Sequence, residues 1–470
     1  MRAPYLVSLL ALLAVPGATR SVALPGGRPW RPLPEGDLQV AASRSRAERG
    51  ASPLHAPLPD SMTSSFTVSG VPIILRRNTS TDVVAANLYL LGGTRQATDS
   101  TVGVEPMLLW VSEQGTTHYS RDALRRKTAD LGSTIVVEPR HDWTMFGFRG
   151  IRETFDSTWM LLSDRLMHGT TDSAAVELIR AQVLSAVEQR RDSPDDYLEY
   201  LADSVAYAGH PYALEPAGTE LSIGRITPAE LRRYRATQLI TSRMLLVVVG
   251  NVDSASVARL VTRTIGQLPR GSYAWTSPPA PGDRAPAADL VERELPTNYI
   301  LGYFTGPMAA QPDYQALRVA CAVLGGRMFT EIRSRRNLTY AVEAPFVERD
   351  ISAGGLYVTT VYPDSVLDLM HREIADLQTG LIDPDNLRVV VSQFITEYFL
   401  NTETNAEQAN FLARAQLYQG DWHAADRFED ELRTVTPQEV RAAARRYMRN
   451  IRFAYIGDTS KVSRALLTSF

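Results

Sequence analysis

An internal repeat constrains this chain more than any other feature. ITPAELRRYRATQLITSRMLLVVVGNVD begins at Ile226, and VTPQEVRAAARRYMRNIRFAYIGDTS begins at Val435. Both run Thr-Pro-x-Glu, a basic helix ending near a tyrosine, a short break, an apolar strand, then Gly-Asn or Gly-Asp. Each Thr-Pro-x-Glu reads as a capping box, with proline at the first helical position, where its missing N–H costs nothing. Thr227 and Thr436 stand 209 residues apart, and a helical pattern follows each copy, from Ser254 and from Ser460. One offset shared by so many features implies a duplicated domain. At 470 residues the chain has room for two such domains, each with its own core.

Proline and glycine crowd the stretch PRGSYAWTSPPAPGDRAP at 269–286, which reads as the break between the copies. The expected first domain is therefore 64–265, the linker 266–292 and the second domain 293–470. Strand patterns stand at 71–75 and 83–91, a helix at 121–131 before Gly132, and a hairpin at 133–139 with 143–149. Helical spacing follows at 156–168, 173–189 and 197–208. This mixture predicts an α+β chain. Upstream, Arg2, the apolar run YLVSLLALLAV at 5–15 and Ser21-Val22-Ala23 predict a signal peptide over 1–23. That run is too short for a permanent membrane span. A flexible leader is expected over 24–63. An exported protein is the expectation, with the bacterial periplasm as its compartment.

Composition removes some functions. A net charge of −3 supplies no basic surplus for nucleic acid, and no later stretch is apolar enough for stable membrane insertion. The lone Cys321 lies in LRVACAVLG and reads as packing. The seven histidines, at 55, 118, 141, 168, 210, 371 and 423, form no His-x-x-x-His pair; His118 and His141 have a chance of meeting across the hairpin, and His210, before a proline, reads as structural. No Gly-x-Ser-x-Gly elbow, P-loop or dinucleotide fingerprint is present. One stretch does carry chemistry. GGRMFTEIRSRRNLTY at 325–340 predicts a short helix with Met328, Phe329 and Ile332 on one face, a stop at Asn337, and Arg333 seven residues before Tyr340. A guanidinium fork and a phenol aimed at one point hold a peptide carbonyl and steady an oxyanion.

The order of these motifs resembles the M16 (insulinase or pitrilysin) metallopeptidases in their two-domain form, from about residue 64 to the end. The stretches that carry the likeness are GGTRQATDSTVGVEPMLLWVSEQGT at 92–116, HPYALEPAGTELSIGRIT at 210–227, RMLLVVVGNVD at 243–253 and GGRMFTEIRSRRNLTYAV from Gly325. The resemblance implies two homologous domains, each a mainly antiparallel sheet packed with helices, as in the LuxS and mitochondrial processing peptidase fold. Active relatives carry His-x-x-Glu-His on the first-domain helix, where two histidines hold zinc and the glutamate activates water. With Gly103 and Gly115-Thr116 on the family's Gly and Gly-Thr, Pro106 and Trp110 stand at the histidine positions and Leu109 at the base. The distal zinc-binding glutamate falls near Ser185 or Ala186; Glu188 is the nearest acid, on another face. No zinc is therefore expected on this chain. The Arg333/Tyr340 pair keeps the family spacing, with Asn337 where relatives carry glycine.

The resemblance thus implies a chain not catalytic alone: a zinc-free subunit of a heterodimeric peptidase. It would lend a substrate-binding Arg333 and Tyr340 to a zinc-bearing M16 partner, and an unfolded peptide would be cut between them. The alternative is a non-catalytic scaffold or peptide-binding protein of the same fold, as in respiratory-complex core subunits.

Overall fold

The computed structural model describes residues 63–470 apart from Asp283. The expected signal peptide and nearly all of the expected leader lie outside these residues. Two six-stranded sheets, each with helices on both faces, make up the molecule.

The first sheet comprises β1 (Thr63–Val68), β2 (Val71–Arg77), β3 (Val83–Leu91), β4 (Thr134–Pro139), β5 (Trp143–Ile151) and β6 (Met244–Gly250). Its order is β1-β2-β6-β3-β5-β4, antiparallel except for the parallel pair β2–β6. Its helices include α1 (Val104–Val111), α2 (Arg121–Asp130), α3 (Phe155–His168), α4 (Ser173–Asp192), α5 (Pro194–Ala206), α6 (Pro228–Gln238) and α7 (Ser254–Arg263). The second sheet holds β7 (Ala287–Glu292), β8 (Asn298–Met308), β9 (Ala341–Glu343), β10 (Phe346–Val347), β11 (Ile351–Thr360) and β12 (Arg452–Gly457). Its order is β10-β11-β8-β12-β7, with β9 also on β11, and again one parallel pair, β7–β12. Its helices include α8 (Tyr314–Met328), α9 (Pro363–Thr379), α10 (Pro384–Asn401), α11 (Asn405–Gln419) and α12 (Pro437–Tyr447). The two sheets share this arrangement: the last strand in sequence is inserted between β2 and β3 in the first and between β7 and β8 in the second. β7 lies within the stretch that reads as linker from sequence, where proline density masks a short edge strand.

The internal repeat forms α6–β6 and α12–β12. Thr227 and Thr436 are both N-caps, accepting from the Glu230 and Glu439 N–H groups. Only the second is a complete capping box, because Glu439 returns a bond to Thr436 N–H while Glu230 faces Arg233 at 3.9 Å.

One face of each sheet packs against helices of its own half. Ile73, Leu88, Leu246 and Val248 meet Trp159 and Leu162 of α3 and Leu260 of α7. Ile300, Leu356 and Phe453 meet Leu317 and Leu324 of α8 and Met370 of α9. The opposite faces are covered reciprocally. α11, from the second half, lays Ala409, Leu412 and Ala413 on Tyr89, Leu245 and Val247 of the first sheet. α5, from the first half, lays Leu198, Leu201 and Ala202 on Leu301, Ala454 and Ile456 of the second. β6 therefore buries all seven residues of MLLVVVG, which explains an apolar run without alternation. Polar clasps fix the exchange: Asn410 Oδ1 accepts from Tyr89 Oη at 2.6 Å, and Arg349 grips Asp203 of α5 through two bonds of 3.0 and 2.7 Å.

Candidate functional site

Two places matter to the chemistry expected from sequence, and they lie on different elements. The first is α1. Gly103 precedes it with φ +90°, and a Cβ there would sit 2.8 Å from the Gly218 Cα. Glycine is thus required for the chain to enter the helix. Pro106 is tolerated because it lies in the first turn, where an N–H has no intrahelical acceptor. Every residue of α1 is buried. Leu109 joins the core under the first sheet, and Trp110 packs with Met107 against Val176, Ile179 and Val183 of α4. Where the resemblance places zinc's ligands and base stand side chains with no metal-binding lone pair: Leu109 and Trp110 are core, and Pro106 is buried at the edge of a cleft lined by Gly103, Thr144 and Tyr234. On α4, Ser185 and Glu188 face solvent and Ala186 is half-buried. Among the described residues no group of three His, Cys, Asp or Glu side chains is arranged to hold a metal. The donor set does not fit zinc. The one acid on α1, Glu105, is committed elsewhere: it pairs with Arg243 at 2.9 Å and accepts from Tyr234 Oη at 2.8 Å.

The second place is the end of α8. The helix does not stop at the glycine pair but runs through it, then widens into a π-turn over Phe329–Arg335. Met328 and Ile332 are fully buried, and Phe329 nearly so. Asn337 closes the turn at φ +54°, the left-handed conformation, with its N–H on the Arg333 carbonyl and the Leu338 N–H on that of Ile332. Thr339, buried, donates to the Thr359 carbonyl at 2.6 Å, and β9 then pairs with β11. Between these anchors Tyr340 is left 85% exposed. The turn brings the sequence-predicted pair together: the Arg333 Cζ stands 5.3 Å from the Tyr340 ring centroid and 5.0 Å from that of Phe329. Glu331 takes the neighbouring Arg335 and Arg336, at 3.2 and 2.6 Å. Arg333 has no carboxylate partner among the described residues.

The pair is not brought onto α1. α1 packs on α4, α6 and the β4–β5 hairpin, whereas the π-turn packs on α8, α9 and β9. The histidines separate as well. His118 meets Asp164, Nδ1 to Oδ1 at 2.5 Å, and the ring of His168, so it does not meet His141. His141 is buried against Tyr212, and burial holds its imidazole well below the usual range. His210 is structural, its Nδ1 accepting from the Tyr212 N–H and its Nε2 facing the Pro279 carbonyl at 3.0 Å. Cys321 is buried, and burial alone pushes its thiol up to about 12.

The sequence reading misses a buried acid pair at the seam between the halves. Asp142 precedes β5 and Asp350 precedes β11, the equivalent strand. Arg95 bridges them, at 3.1 Å to Asp142 and 3.4 Å to Asp350. Tyr212 and Tyr418 donate to Asp142 at 2.6 and 2.7 Å, and Ser277 donates to Asp350 at 3.1 Å. Burial, then the Asp142 charge, raises Asp350 to about 6. The two aspartates stand 208 residues apart, nearly the repeat offset, and that spacing is the signal available in the sequence.

Residues 225–394 match the family described as the peptidase M16 inactive domain. An uncharacterized zinc protease of Mycobacterium leprae is 26% identical over 295 residues, covering 60% of this chain and 66% of that protein, just under two thirds of its length. The mitochondrial-processing peptidase subunit beta of Blastocladiella emersonii is 20% identical over 398 residues, covering 81% of this chain and 84% of that one. The crystal structure of a peptidase M16 inactive domain from Pseudomonas fluorescens superposes with a TM-score of 0.76 at 18% identity, over 84% of this chain and 98% of that one. Residues 225–394 thus match the M16 inactive domain, the two sheets have the fold of M16 peptidase structures, and α1 carries no His-x-x-Glu-His.

Proposed function

We propose that this chain is the zinc-free half of a two-chain M16 peptidase and lends Arg333 and Tyr340 to a zinc-bearing partner. The observation that carries the reading is a contrast within one molecule. On α1, Leu109 and Trp110 are core, whereas the Arg333/Tyr340 unit presents a carboxylate-free guanidinium beside an exposed phenol.

The partner would contribute the metal and its activated water. This chain's part is electrostatic. The Arg333 fork would hold a backbone carbonyl of an extended peptide, and the Tyr340 hydroxyl would donate to the oxyanion as the carbonyl becomes tetrahedral. An unfolded peptide lying along a sheet edge offers its carbonyls in a fixed register. The apolar run at 5–15 with Ser21-Val22-Ala23, the expected signal peptide, supports export to a periplasmic site of action, and among the described residues no helix is long and apolar enough to cross a membrane.

A filled α1 also suits a non-catalytic scaffold, and a titration separates the two readings. The chain is added to a fixed amount of a zinc-bearing M16 subunit encoded beside it, and cleavage of an internally quenched unfolded peptide is followed. Activity should climb and saturate at one equivalent. No gain in activity, with the two chains nonetheless binding, would leave the scaffold.

A further inference from the structure

Arg333 is one of three arginines in four residues, Arg333, Arg335 and Arg336, and the structure treats them unequally. Glu331 Oε2 accepts from Arg335 Nη1 at 3.2 Å, and its Oε1 accepts from Arg336 Nε at 3.0 Å and Nη2 at 2.6 Å. One carboxylate thus engages two guanidinium groups that are half-exposed or more. The third guanidinium meets rings. Phe329 lies one turn back, rooted in the core beside Met328 and Ile332, and its ring is 5.0 Å from the Arg333 Cζ. Tyr340, on the other hand, is exposed. Of the two aromatic contacts of Arg333, only Phe329 is held by surrounding packing. The widened π-turn sets the offset between positions 329 and 333, and such turns recur at functional sites.

We infer that Phe329 is the positioning residue for Arg333, fixing its guanidinium in line with Tyr340, while Glu331 keeps Arg335 and Arg336 out of the same space. Phe329 gives location and Glu331 gives charge selectivity: a single cation meets the substrate, suited to a neutral carbonyl rather than to acidic side chains. This deepens the proposed function and rests on it for its catalytic consequence, but the positioning itself is measurable on this chain alone.

The first arm uses arginine Nε–Hε resonances of the isolated chain, with Arg333 assigned through Arg333→Lys. The wild-type signal should be displaced upfield by ring current. In Phe329→Leu, which keeps an apolar side chain of similar size, it should return toward the free-arginine position, and in Phe329→Tyr it should stay displaced. A wild-type signal already at the free position, or one unmoved in Phe329→Leu, overturns the inference. The second arm is peptide cleavage by the complex with the zinc-bearing subunit, after circular dichroism and co-purification show that each variant folds and binds. Phe329→Leu should lower kcat roughly 3- to 30-fold, the range of a desolvated cation–π contact, with KM little changed. Phe329→Tyr should restore it. Glu331→Gln should raise the preference for a tetra-glutamate peptide over a neutral one roughly threefold. If Arg333→Ala lowers activity and Phe329→Leu does not, the inference fails while the proposed function stands. If neither lowers activity, the proposed function fails and the resonance arm alone decides the positioning.

Discussion

Arg333 and Tyr340 stand together because three neighbours place them so. Asn337 takes the left-handed turn, Thr339 locks the following strand to Thr359, and Phe329 offers Arg333 a ring anchored in the core. The asparagine was legible from sequence, since its side chain tolerates positive φ better than most. Asn337→Gly is therefore expected to leave stability within about 0.5 kcal/mol, whereas Asn337→Val should cost about 1–2 kcal/mol and disturb the pair. Chemical denaturation of both variants checks this; equal losses would show that the turn does not depend on backbone conformation. The aromatic contact with Phe329 was less legible. Its apolar face was readable from helical spacing, but a π-turn shifts the offset between side chains, and no periodicity announces one.

At the scale of elements, α1 puts core residues at two of the positions where the resemblance places the zinc motif. Position 109 faces the core under the first sheet and position 110 faces α4, so leucine and tryptophan stabilise what a histidine and a glutamate would leave polar. Rebuilding the motif as Pro106→His, Leu109→Glu and Trp110→His should therefore destabilise the fold by at least ~3 kcal/mol, by loss of tryptophan packing and burial of a carboxylate. It should not yield stoichiometric zinc, because α4 offers no distal acid. Metal analysis and a melting curve test this, and a stable triple variant holding one zinc would contradict it. Element boundaries were legible where period and caps agreed, as in β3 and α4. The seam was not. The 209-residue offset revealed two equivalent halves, but which helix covers which sheet is decided by long-range packing, and α5 and α11 look in sequence like helices of their own domains.

The reciprocal helices make the two halves one body, and the acid pair sits at its seam. Asp350 is raised to about 6 in the folded chain, against an unfolded carboxylate near 3.9. The sign follows from linkage: a raised acid contributes stability that is fully present below about pH 4 and is lost as pH rises through about 6. Between those limits Asp350→Asn should flatten the pH dependence of unfolding, with a difference of about 1–2 kcal/mol across the window. Unfolding of wild type and variant at several pH values measures it, and parallel curves would remove Asp350 from the seam's energetics. The positions on α1 where the resemblance places zinc carry no metal-binding side chain, which is why the proposed catalysis takes its metal from a second chain. The most direct test of that claim is cleavage of an unfolded peptide by the purified two-chain complex, comparing wild type with Arg333→Ala/Tyr340→Phe. The expected result is a loss of roughly 100-fold or more in kcat, the scale of removing oxyanion donors, with the complex intact. Activity equal to wild type in an intact complex would contradict the account and leave the pair without a catalytic part.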